Sequence, residues 1–168
     1  QESISALIWL CDLRGFTALA ESLPGATLIS LLNDYFGAMC EAVSARGGEV
    51  LKFIGDALLA IFPLAGHEAP SVAHEVLAAA GDAEKAIREL NAGRKTRGEP
   101  LIRYGLALHP GEVLYGNIGG PTRLDFTVIG PAVNLVARLQ GLCEPLGRRV
   151  LVSSAFAALV RPEALTPL

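Results

Sequence analysis

Residues 49–62 read EVLKFIGDALLAIF. Two apolar runs, 49–54 and 57–62, flank Gly55-Asp56, which is the pattern of two strands joined by a tight hairpin turn. An earlier run, ISALIWLCD at 4–12, is too short and too β-branched at its start for a helix and reads as a buried strand. Asp12 closes that strand and Asp56 sits in the hairpin turn. Either aspartate alone is an ordinary strand-end or turn residue. Together they suggest two rigid carboxylates at one sheet edge. Such a pair suits divalent cations, and two cations suit an in-line displacement at phosphorus.

Working outward, LRGFTALAES at 13–22 places Thr17 as the cap of a short helix. Free N–H groups at such a helix start, around Phe16 and Thr17, suit phosphate oxygens. After Pro24, Leu28, Leu31, Leu32, Tyr35, Phe36, Met39 and Val43 recur at three and four residues, predicting an amphipathic helix that Gly47 and Gly48 end. A long Ala-rich helix follows, with Val76, Ala79, Ala80, Ala83, Ile87 and Leu90 on one face. NAGRKTRGEP at 91–100 reads as a surface connection. Residues 101–109 and 112–118 predict a hairpin around Pro110-Gly111, and 125–129 a strand. Pro131 opens a helix to about Cys143, then a strand over 148–153 and a short helix over 154–160. This order predicts an α+β fold: a ferredoxin-like, palm-type βαββαβ core with extra C-terminal α and β elements.

The chain's 168 residues suit one domain with a sizeable core, and 51% of them are hydrophobic. A net charge of -3 gives no electrostatic case for a nucleic-acid partner. Cys11, Cys40 and Cys143 have no zinc-like spacing, and scattered odd cysteines favour a reducing, cytoplasmic setting. No apolar run approaches the ~18 residues of a membrane helix, so no membrane contact is expected of this segment. The start at Gln1 without methionine reads as a domain excised from a longer protein, whose remainder is free to be membrane-anchored.

Four further positions carry possible chemistry. Asn134 and Arg138 lie one turn apart on the Pro131 helix, beside apolar Val133, Val136, Ala137 and Leu139. They read either as a solvated stripe or as a sugar-orienting amide and a phosphoryl-neutralising guanidinium. Lys52, inside an apolar strand, either snorkels to solvent or donates to a base ring nitrogen. Thr127 needs no special reason in a strand. His67 and His74 read as surface residues and His109 as structural, and no Ser, Cys or His set for covalent catalysis is apparent.

CDLRGFT at 11–17, LKFIGDALLAIF at 51–62, GLALHPGEVLYGNIG at 105–119 and DFTVIGPAVNLVARL at 125–139 together resemble the class III nucleotide cyclase catalytic domain, of the bacterial adenylyl cyclase type. The resemblance spans nearly the whole chain. It implies that Asp12, Asp56 and the Leu13 carbonyl bind two Mg²⁺ or Mn²⁺ ions per site. It implies that N–H groups around Phe16 and Thr17 hold the β- and γ-phosphates. Lys52 and Thr127 fall at base-selecting positions, where a donating lysine and an accepting hydroxyl point to ATP. Asn134 and Arg138 fall at the positions that hold the ribose and stabilise the transition state. A head-to-tail homodimer is implied, with the metal aspartates from one subunit and the other four residues from its twin.

The expected reaction is ATP to 3′,5′-cyclic AMP and pyrophosphate. One departure bears on it. The family draws a triphosphate-clamping lysine from a final hairpin, and this sequence has lysine only at Lys52, Lys85 and Lys95. The single 1–168 domain is therefore expected to lack that hairpin. The alternative expectation is a weak or inactive cyclase-like domain that dimerises and regulates. A diguanylate cyclase would need a GGDEF-like turn, which FIGDA does not supply.

Overall fold

The computed structural model describes residues 2–121 and 123–168, excluding the side chains of residues 115, 117, 118 and 123–127. The chain runs β1 (Glu2–Leu13), α1 (Phe16–Ser22), α2 (Gly25–Ala45), β2 (Glu49–Ile54), β3 (Ala57–Pro63), α3 (Ala69–Thr96) and β4 (Tyr104–Gly120). It continues through β5 (Arg123–Ile129), α4 (Pro131–Gln140), β6 (Val150–Val152) and α5 (Ser154–Ala157). The strands form one sheet in the order β2-β3-β1-β4-β5, and β6 also pairs with β4. Neighbours along that order are antiparallel, while β6 runs parallel to β4. The first four strands and their crossover helices make the expected βαββαβ core, and β5, α4, β6 and α5 are the additions.

Alternation along β1 explains the two layers. Leu7, Trp9, Cys11 and Leu13 point into the larger core, formed with Leu31, Tyr35, Met39 and Val43 of α2 and Val76, Ala79, Ala83 and Ile87 of α3. Ala6, Ile8 and Leu10 point to the other face, where Val136 of α4 covers them. The helical faces predicted from spacing are the buried ones. The hairpin of β2 and β3 also forms, and Gly55 at φ 61 supplies the left-handed turn residue.

Four expectations are corrected. Pro110-Gly111 does not turn the chain, because β4 is one strand through both residues, with Pro110 opposite Leu7 and Gly111 opposite Ala6. On the other edge of β4, β6 covers 106–108 and β5 covers 114–120, so Pro110 falls where no strand asks for its missing donor. Gly111 is there for space: a Cβ would lie 2.3 Å from the Cβ of Ala132 on α4. Gly111→Ala is therefore expected to push α4 off the sheet and destabilise the fold by about 1–3 kcal/mol, read as a lower urea midpoint.

Second, Thr17 is not a cap. Gly15 precedes α1 in the left-handed region, no side chain caps the helix, and Thr17 is exposed within its first turn. Third, 91–100 is not a loose surface connection. α3 continues to Thr96, and Arg94 is fully buried. Its guanidinium pairs with Asp34 of α2 at 2.7 Å and with Glu99 at 3.3 Å. Asn91 exchanges two hydrogen bonds with the Ile102 backbone, at 2.8 and 2.9 Å. Fourth, the late elements are shorter than expected, because α4 ends at Gln140, β6 keeps only 150–152, and α5 only 154–157.

Candidate active site

Asp12 and Asp56 meet at one end of the sheet because two strand ends are stitched there. The Leu13 N–H donates to Asp56 Oδ2 at 3.0 Å, so the β2–β3 turn is tied to the end of β1. Asp12, one residue earlier, points to the α4 face, opposite Gly105 of β4. Gln140, the last residue of α4, donates to Asp12 Oδ1 and to the Gly105 carbonyl. Gln140 was not singled out in the sequence. Its signal was spacing, since Val133, Val136 and Gln140 fall three and four apart and place an amide on the helix's inward face.

Both carboxyls are held above their usual range. Burial pushes Asp12 up to about 6; the Asp56 charge adds to this, and the Gln140 hydrogen bond opposes it. Burial raises Asp56 too, partly offset by its backbone hydrogen bonds. No cluster of three His, Cys, Asp or Glu suited to a metal occurs among the described residues. The donors at this end are thus two carboxylates and the neighbouring Leu13 carbonyl. All are oxygens, and a divalent cation would relieve the crowding of negative charge. The residues present fit a hard cation.

Beside Asp12, no acceptor is recorded among the described residues for the N–H groups of Phe16 and Thr17, the first two of α1. Phe16 leans on the larger core and Thr17 is exposed.

The other predicted residues lie elsewhere on the protomer. Asn134 and Arg138 face outward from α4, and neither side chain has a hydrogen-bond or ion-pair partner among the described residues. They are on the same helix as Gln140 but do not join Asp12 or Asp56. Lys52 is partly buried on β2, after a bulge between Val50 and Lys52. Thr127 sits opposite Gly116 in β5, and its side chain lies outside the described residues. β2 and β5 are the first and last strands of the order, with β3, β1 and β4 between them. His109 is structural, as expected: its Nδ1 lies 2.7 Å from Ser153 Oγ, and Ser153 caps α5.

A family model for the adenylate and guanylate cyclase catalytic domain matches residues 1–165. An adenylate cyclase of Anabaena cylindrica is 34% identical over 160 residues, covering 95% of this chain and 32% of that protein. Adenylate cyclase 1 of Rhizobium meliloti (strain 1021) is 28% identical over 147 residues, covering 88% of this chain and 22% of that protein. Among solved structures, a bacterial light-regulated adenylyl cyclase aligns with a TM-score of 0.80 at 29% identity, covering 94% of this chain and 79% of that one. A guanylyl cyclase aligns with a TM-score of 0.78, also at 29% identity, covering 94% and 79%. The chain belongs to the class III adenylyl and guanylyl cyclase catalytic domain family. It spans between about a fifth and a third of the length of these two curated relatives. No helix among the described residues is long and apolar enough to cross a membrane.

Proposed function

We propose that this chain is the catalytic domain of an adenylate cyclase, one unit of a longer protein, converting ATP to 3′,5′-cyclic AMP and pyrophosphate. The observation that carries the reading is the stitched pair, Asp12 and Asp56, at the end of β1. The ribose 3′-hydroxyl attacks the α-phosphorus, the bond to the β-phosphate oxygen breaks, and pyrophosphate leaves. Two Mg²⁺ or Mn²⁺ ions held by Asp12, Asp56 and the Leu13 carbonyl would supply neutralising charge and a more acidic 3′-hydroxyl. The N–H groups of Phe16 and Thr17 hold β- and γ-phosphate oxygens. Gln140 fixes the rotamer of Asp12 by its hydrogen bond. Arg138 neutralises charge growing at the α-phosphate, and Asn134 orients the ribose.

The reading includes a homodimer whose two sites are shared between subunits. Asn134 and Arg138 lack partners among the described residues of the protomer. The large apolar side chains left exposed next to site residues support a covering twin: Phe53 at 51% and Ile54 at 54% follow Lys52, and Leu135 at 38% lies between Asn134 and Arg138. Purified chain assayed with Mn²⁺ and either ATP or GTP tests the function. Cyclic AMP as the main product supports it, and no turnover with either nucleotide favours a domain that only dimerises.

Lys52 and Thr127 are assigned to the base, the lysine donating to a ring nitrogen and the threonine hydroxyl accepting from N6. Lys52→Glu with Thr127→Cys is expected to shift the GTP-to-ATP ratio of kcat/KM toward GTP by about tenfold or more. If the two residues read one purine, the single changes must be non-additive. Strict additivity would speak against one shared purine pocket.

A further inference from the structure

A second concave site lies on the sheet face opposite Asp12. Asp12 points to the α4 side, whereas Tyr104 packs into the larger core under α2 and α3. Here, between the second half of α3 and the start of β4, is a pocket of about 330 Å³. Arg14, Arg88, Arg103 and Arg149 line it, together with one carboxylate, Glu84. Glu84 is already shared, 3.2 Å from Arg88 and 2.7 Å from Arg149. Arg14 gives Nη2 to the carbonyls of Cys143 and Arg148, but its buried Nε has no acceptor among the described residues. Arg103 has an exposed side chain and no ion pair among the described residues.

Tyr104, only 4% exposed, also lines the pocket, and its buried hydroxyl has no hydrogen-bond partner among the described residues. Burial pushes this phenol up to about 12, so it stays protonated and able to donate. The nearby charges acting on it include Arg149, Glu84 and Arg88, which line the same pocket. A buried donor without an acceptor among the described residues needs an explanation, and so do the guanidiniums of Arg88, Arg103 and Arg149 gathered round one carboxylate.

We propose that this pocket binds a small phosphate-class oxyanion, at a site separate from the nucleotide. Guanidinium forks match the oxygens of a tetrahedral anion, and the Tyr104 hydroxyl donates to one of them. Arg149 stands over the Tyr104 ring, 5.9 Å from its centroid, so it must swing off Glu84 to admit the anion. Its side chain, 51% exposed, has room to do so.

Calorimetric titration of the 168-residue chain with inorganic phosphate, in chloride buffer without nucleotide, tests the site. Saturable uptake is expected. Arg88→Gln with Arg103→Gln changes only exposed side chains and is expected to weaken uptake about tenfold or more. Tyr104→Phe keeps the packed ring and is expected to weaken it about threefold or more. Arg138→Ala, on the α4 face, is expected to leave uptake unchanged, which separates this site from the nucleotide site. The proposal is overturned by absent or unsaturable uptake, by unaltered affinity in the double variant, or by loss of uptake in Arg138→Ala.

Discussion

Asp12→Asn is expected to lower cyclic nucleotide formation by on the order of 10³ and, at the same time, to make the fold more stable at neutral pH. The two effects share one cause. Asp12 is a half-buried carboxyl beside a second carboxylate, with its proton held up to about pH 6. Below the usual carboxyl pKa of about 3.8, folded and unfolded chains both carry the proton, and the site costs nothing. Between about 3.8 and about 6 the unfolded chain gives up its proton while the folded chain keeps it, so stability falls as pH rises. Above that window the penalty is complete. Asparagine removes the charge and keeps the shape, so it should add about 1 kcal/mol at pH 7.5, after allowing for solvent screening of the exposed part. At pH 3 it should add nothing. Urea midpoints of both proteins across this range measure the difference. Wild-type turnover by Asp12→Asn with Mn²⁺-ATP would overturn the assignment of Asp12 to the cation. An unchanged stability difference from pH 3 to 7.5 would overturn the repulsion argument. Manganese should raise the urea midpoint of the native protein and have much less effect on the variant, since ligand binding to the folded state stabilises it by mass action.

The residues that read correctly from the sequence are those whose local chemistry leaves one solution. Gly55 marks a turn because the β2–β3 hairpin needs a left-handed residue there. The faces of α2 and α3 follow from three-and-four spacing. The residues that misled are those whose tertiary neighbours decide. Arg94 sits in a polar run that looks solvated, yet Asp34, sixty positions earlier, lets its guanidinium go to the interior. Pro110-Gly111 carries the composition of a turn, and only the gap between β5 and β6 on the edge of β4, with α4 pressing on Gly111, turns it into strand. The same holds at the candidate site. The aspartates were legible because each ends an apolar run, whereas the Leu13 to Asp56 bond and the Gln140 to Asp12 bond depend on strand ends and a helix end that no local pattern brings together.

Arg138→Ala alone is expected to cut turnover by on the order of 10²–10³, and mixing it with Asp12→Asn is expected to bring activity back. The argument is geometric. Arg138 has no partner among the described residues of its own protomer and faces away from Asp12, so a shared site draws each from a different subunit. In a two-fold dimer of one Asp12→Asn chain and one Arg138→Ala chain, both lesions fall in the same site, and the other site holds a native aspartate and a native arginine. Random pairing makes half of the dimers mixed, and each mixed dimer has one intact site of two. The mixture should therefore recover about a quarter of the native rate, where each variant alone is nearly silent. A site built within one protomer gives a different result, since every site would then carry one lesion and mixing would restore nothing. Activity of the mixture at the average of the two separate variants, measured after subunit exchange, would refute the shared site and leave the aspartate pair to act with groups of its own chain.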